Sequence, residues 1–303
     1  MDSTSSFSMY SDETGVFDKR FQAIALVSGP IGTLLQLRTK LQGILDERGV
    51  DEIKFAEIRT HRPKLLAARS FITCSVRAYA SQRKCRIDII VWDTQDLRHT
   101  IRGRDDVANL AIMYYRVLTH AARQWKQAEW RLYPDMNPEI SWDEIADFLK
   151  RTSLSGSRTR LPSLFKFEEE NQLLQFNEIR PTDSLREPVI QLADLFAGMG
   201  RFCREEGEQC LRWLDSWGNK EQLQLPDLLC GRDAKDDTIE TKRNRYQLIG
   251  EFYHLCRRNR MGVSLRDEKC LRTLNPKNPI NFWNYESQYD YDKAPIRRII
   301  DQG

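Results

Sequence analysis

Apolar and polar residues alternate from Phe7 through Met9 to Asp12, the period of a strand that ends at an acid. Gly15 then supplies a turn, and Phe21 to Val27 reads as a second strand stopped by Ser28-Gly29-Pro30, so the two are expected to pair as a hairpin. Leu34, Leu37, Leu41 and Leu45 recur at helical spacing and predict a helix over about 33–48 that ends at Gly49. Pro63 opens a further helix through about Thr73. Arg86 to Trp92 is the clearest buried-strand run. After it, Asp105-Asp106 caps a helix whose face is Leu110, Tyr114, Leu118 and Ala121.

The later pattern alternates strand and helix. Trp130 to Tyr133 is a short strand ended by Pro134-Asp135, and Trp142 to Leu149 an amphipathic helix. Residues 152–163 read as a basic loop, and Leu173 to Ile179 as a strand. Ser184 and Glu187 have capping-box spacing ahead of Pro188, so a helix follows with Ile190, Ala193, Ala197 and Arg201 along one face and Asp194 beside them. Ala193, Ala197 and Gly198 are small enough to bring that helix close to a sheet. The order implies an α/β fold: a mixed central sheet with helices on both faces, with sites gathering at the carboxyl ends of its strands. The organisation expected is an α/β core over 7–203 and an α-rich C-terminal extension over 204–303 packed on it. The extension has a helix over about 242–260, and its Asn281-Phe282-Trp283-Asn284-Tyr285 run is read as an aromatic anchor rather than a base-stacking platform.

With 40% hydrophobic and 30% charged residues in 303, the chain can bury a large core. A net charge of +3 means that any nucleic-acid surface must come from local clusters. Such clusters occur at Arg59, Arg62 and Lys64, at Arg158 and Arg160, at Lys242, Arg243 and Arg245, and at Arg257, Arg258 and Arg260. No apolar run reaches the roughly 20 residues needed to span a bilayer, and Met1 to Ser6 lacks a signal-peptide pattern, so a cytoplasmic protein without a membrane partner is expected. Seven cysteines without C-x-x-C spacing read as free thiols, and the four histidines as packing or surface residues.

Four acids then stand out: Asp12, Glu57, Asp135 and Asp194 each follow or interrupt an apolar run. Carboxylates in apolar surroundings need compensation, and several converging on one point call for a hard divalent cation. Two motifs, Asp12-Glu13-Thr14-Gly15 and Gln191-Leu192-Ala193-Asp194, lie at opposite ends of the alternating segment. In both, the chain resembles a bacterial family of uncharacterised proteins assigned a ribonuclease H-like fold. The resemblance covers about residues 8–203, with further likeness at Leu271-Arg272-Thr273 and Asn281-Phe282-Trp283. It implies a metal-dependent nuclease in which Asp12, Asp135 and Asp194 bind Mg²⁺ or Mn²⁺, with Asp12 bridging two ions. Glu57 is a fourth acid, with Glu13 or Asp93 as alternatives, and Lys54 contacts the scissile phosphate. Family context implies a role in bacterial defence or mobile-element biology. The partner expected is nucleic acid of unspecified type, with room for a protein partner or a homo-oligomer. The rival is a non-catalytic ribonuclease H-like scaffold that binds nucleic acid or protein. A strand-transferase reading is disfavoured because no separate DNA-recognition module is evident.

Overall fold

The computed structural model describes residues 6–16, 19–58, 61–96, 106–152, 173–218 and 237–286. Residues 153–163 of the basic loop expected at 152–163, with Arg158 and Arg160, lie outside them, as do Arg59, His99, Asp105 and Cys230. Six strands form one sheet in the order β5-β4-β1-β2-β3-β8. They are β1 (Phe7–Thr14), β2 (Phe21–Pro30), β3 (Arg86–Asp93), β4 (Glu129–Pro134), β5 (Gln175–Ile179) and β8 (Ile280–Asn284). β2 runs antiparallel to both β1 and β3, whereas β4 is parallel to β1, β5 to β4 and β8 to β3. An antiparallel meander, β1-β2-β3, is thus extended by parallel strands on both sides, which is the mixed sheet expected. β6 (Val263–Ser264) and β7 (Arg272–Thr273) pair separately.

The helices are α1 (Ile31–Arg48), α2 (Arg62–Cys74), α3 (Asp106–Trp125), α4 (Trp142–Leu149), α5 (Pro188–Glu205), α6 (Gly207–Gly218) and α7 (Asp237–Arg258). One sheet face presents Tyr10, Ala23, Ala25, Val27, Ile89 and Val91 to a core shared with α1, α2, α5 and α7. The other presents Met9, Ile24, Leu26, Ile90 and Trp92 to α3 and α4. Strict alternation along β1–β3 thus feeds two cores, as a sheet covered on both faces requires. α5 is buried nearly all round, consistent with a helix wedged between the sheet and an outer helical layer.

Several elements differ from expectation. β1 runs two residues past Asp12, since Glu13 and Thr14 keep pairing with Ile24 and Ala23. Ser184 and Glu187 do not form a capping box. Ser184–Arg186 is a 3-10 turn capped by Asp183, and Glu187 is itself the N-cap of α5, accepting from the Val189 N–H. Gly198 does not face the sheet; a Cβ there would stand 2.3–2.6 Å from Phe55 side-chain atoms, while Gly200 is the glycine lying against Ile89 and Val91. The C-terminal segment contributes more than helices and an aromatic anchor. β8 covers the outer edge of β3, whose open N–H and C=O groups would otherwise template aggregation. Arg86, Asp88, His120 and Asn281 knit that edge together, with Asn281 Nδ2 donating to Asp88 Oδ1 at 3.2 Å. The sheet therefore draws strands from both sides of residue 203. No helix among the described residues is long and apolar enough to cross a membrane. The six described cysteines are free, all but Cys74 buried.

Candidate metal centre

β1 and β4 run parallel in a register that sets Tyr10 beside Tyr133 and Ser11 beside Pro134. The Asp135 N–H continues that ladder by donating to the Ser11 carbonyl at 2.9 Å. The register therefore carries Asp12 beside Asp135. Side chains alternate along a strand, so these two acids share the face of the Tyr10–Tyr133 ring pair, whose centroids are 5.0 Å apart. This is the α5 face. Glu13 points to the other face, where Tyr114 Oη donates to it and Asn137 Nδ2 donates at 2.6 Å.

α5 supplies the third acid. Asp194 Oδ2 accepts the Phe55 N–H at 2.5 Å, and one turn earlier Gln191 Oε1 accepts the Ile53 N–H at 3.1 Å. The same helix face thus clasps the extended segment 52–54 and the 3-10 turn Phe55–Glu57 that follows it. Gln191 also donates to the Ser184 carbonyl at 2.9 Å, so α5 braces the 180–186 connection as well. Arg201, on the same helix, pairs with Glu205 at 2.9 Å.

The electrostatics tie the acids together. Burial drives the Asp12 carboxyl well above the usual carboxylate range, and Asp194, Glu13 and Asp135 push it further in that order; the Glu13 N–H only partly offsets them. Asp194 is raised to about 6, by burial first, with Asp135 and Glu52 adding and the Phe55 N–H and the Lys54 charge opposing. Asp194 keeps partial water access, yet its carboxyl is walled in closely enough for desolvation to dominate. Asp135 is raised by burial against the N–H groups of Met136 and Ser184 and the Lys54 ammonium. Burial would lower Lys54, but Glu52, Asp135 and Asp194 outweigh it and hold the ammonium charged.

Lys54 is therefore at the cluster. Glu57 stands further out: it is half-exposed and held low by its bond from Lys64 Nζ first and then by the Lys64 and Lys54 charges. The 3-10 turn carries it outward. Asp93, the last residue of β3, is two strands away from Asp12 and is held in a 2.7 Å pair with Arg20. The acid that sequence reading passed over is Glu52. It accepts from Ser184 Oγ at 2.9 Å, pairs with Lys54 at 3.3 Å and raises Asp194. Its signal was the period-two pattern Glu52, buried Ile53, Lys54, which puts both charges on one side of an extended segment.

The donor set is one of hard oxygens under mutual repulsion, which suits Mg²⁺ or Mn²⁺. Among the described residues, no three His, Cys, Asp or Glu side chains stand in a spacing that would clasp a cation as they are. The basic clusters are largely engaged in packing. Lys64 bonds Glu57, Lys242 pairs with Glu206 at 2.7 Å, and Arg243 lies over Trp213. Arg245 lies over Phe55 and Phe202 and donates to the Ala56 carbonyl.

No protein-family model matches the chain. It is 32% identical over 308 residues to "Uncharacterized protein ORF2′" of Methanothermobacter thermautotrophicus, covering 98% of this chain and 100% of that protein. It is 30% identical over 310 residues to "Uncharacterized protein ORF2" of the same organism, with the same coverage. Both relatives are archaeal, so the bacterial attribution is not supported. Among solved structures, the chain resembles one from Archaeoglobus fulgidus, of a PCNA:RNase HII complex, at TM-score 0.37 and 12% identity, over 72% of this chain and 90% of that one. A likeness that loose carries no weight for the chemistry.

Proposed function

The chain belongs to the family of the Methanothermobacter ORF2 and ORF2′ proteins, and we propose that it is a metal-dependent phosphodiesterase acting on nucleic acid. The observation that carries this reading is the β1–β4 register that sets Asp12 beside Asp135 on the face covered by α5, where Asp194 and Asp135 both raise Asp12, Asp135 raises Asp194, and Lys54 lies alongside. Asp12, Asp135 and Asp194 would hold Mg²⁺ or Mn²⁺. A bound divalent ion supplies water activation and stabilisation of the leaving oxygen.

The rest is the work of the chain's own residues. Backbone N–H groups of Glu13, Ser184 and Phe55 each hold one carboxylate, which limits how far the acids rotate. A bound cation would offset the repulsion among these carboxylates. Lys54 offers a point charge for a phosphate oxygen, and Glu52 restrains it. The scaffold reading has one observation in its favour, that each acid already has a structural partner. Cleavage of RNA, DNA and hybrid substrates separates the two. The phosphodiesterase cleaves with Mg²⁺ or Mn²⁺, stops in chelator, and loses about a hundredfold or more in Asp12→Ala or Asp194→Ala. An unchanged rate in the folded double variant would sink it.

A further inference from the structure

α2 and α7 pack side by side and leave a cleft of about 230 Å³ between them that none of the acids lines. Arg245 on α7 reaches the Ala56 carbonyl near the cluster, and Arg258 stands thirteen residues on, about 20 Å along the helix. The floor is apolar, with Ile72, Leu248, Phe252 and Leu255, and the rim carries Arg69, Arg77, Arg258 and one acid, Glu251.

The charges do not cancel. Glu251 Oε2 is taken by Arg69 at 2.5 Å, and its Oε1 by Gln247 Nε2 at 3.0 Å. Arg77 and Arg258 have no acidic partner among the described residues. Arg77 is carried on the π-helical turn Ser75–Ala80, an irregularity that shifts its register relative to α2 and is frequent at functional sites. The field is felt nearby: His254 is lowered by burial first and then by Arg257 and Arg258.

We propose that this cleft binds a phosphodiester group of a nucleic-acid strand, gripped by Arg77 and Arg258 above the apolar floor. Guanidinium groups suit phosphate because their N–H donors fit its oxygens in a bidentate fork. The size selects the form of the ligand. Pockets that engulf a drug-sized molecule begin near 300 Å³, so this cleft takes a link of a strand passing over it rather than a whole nucleotide. The inference concerns binding only and stands apart from hydrolysis at the acids.

Fluorescence anisotropy of a labelled 20-nucleotide single strand, RNA and DNA in turn, tests it in chelator, where metal-dependent cleavage plays no part. Inorganic phosphate and a nucleoside monophosphate serve as competitors. Arg77→Gln/Arg258→Gln is expected to weaken strand binding at least fivefold and to reduce the log–log salt slope by about 1.4, the share of two phosphates. Glu251→Gln, which frees Arg69, is expected to tighten it. Both sites are on the surface, so melting curves should match the parent. Unchanged affinity and slope in the double variant overturn the proposal. So does displacement of the strand by micromolar phosphate or mononucleotide, which would make the cleft a small-anion site.

Discussion

Asp194 accepts the Phe55 N–H at 2.5 Å, so the carboxylate that loads the acid cluster also fastens the segment that brings in Glu52 and Lys54. The two roles have opposite energetic signs. The hydrogen bond stabilises the fold, while the buried charge among other carboxylates costs stability.

That opposition gives a pH dependence. Asp194 is raised from 3.8 to about 6, and Asp12 and Asp135 are raised too. A carboxyl raised on folding binds its proton more tightly in the folded state. Its favourable contribution is full below the unfolded value and lost as pH rises through the folded one. In chelator, the protein is expected to lose stability between about pH 4 and 7, by about 3 kcal/mol from Asp194 at 1.36 kcal/mol per pKa unit. Asp194→Asn keeps an acceptor for the Phe55 N–H and should flatten that slope. Urea midpoints at pH 5 and pH 7.5 measure it; a parallel slope in the variant contradicts the assignment.

Gly198→Ala tests the packing behind the site. A Cβ would lie 2.3 Å from Phe55 Cγ, so the 52–57 segment must shift, at a cost of about 1–3 kcal/mol with weaker cation binding. Gly43→Ala on α1 meets nothing within 4 Å and is expected to stabilise by roughly 0.5–1 kcal/mol. Thermal melts of the pair give the contrast, and equal effects would contradict it.

The acids are separable by substitution. Glu57→Ala and Asp93→Ala remove exposed or peripheral pairs and should leave cleavage within about twofold of the parent. Lys54→Gln removes a charge that lowers Asp135 and Asp194, so the acid limb of the pH–rate profile should move to higher pH. A profile fixed in position would place Lys54 outside the site.

Much of this was legible in sequence because it is local. The alternation of Phe7 to Asp12 and the spacing of Leu34 to Leu45 encode β1 and α1 directly. Asp12 and Asp194 stood out as acids in apolar runs. What was hidden depends on partners far along the chain. β8 is five residues that pair with β3 nearly two hundred positions earlier, and no local period announces that. Glu52 acquires meaning only when Ser184 and α5 arrive beside it. The Ser184–Glu187 spacing was misread because Asp183 caps a 3-10 turn first.

Phe282→Ala addresses whether the 204–303 segment is a separate unit. Phe282 is fully buried and packs with Phe196 and Phe252. Its truncation should cost about 3–5 kcal/mol and lower one cooperative transition of the whole chain. Two separate transitions in calorimetry would make the extension an independent domain.

The central claim is that Asp12, Asp135 and Asp194 act as one cation site. Calorimetric titration of Mn²⁺ at pH 7.5 into the parent and into Asp12→Asn is the most direct measurement. The account predicts saturable binding with proton release in the parent, since raised carboxyls must deprotonate, and loss of that binding in a variant that melts no lower in chelator. Equal Mn²⁺ binding in the two proteins, or none in the parent, contradicts it.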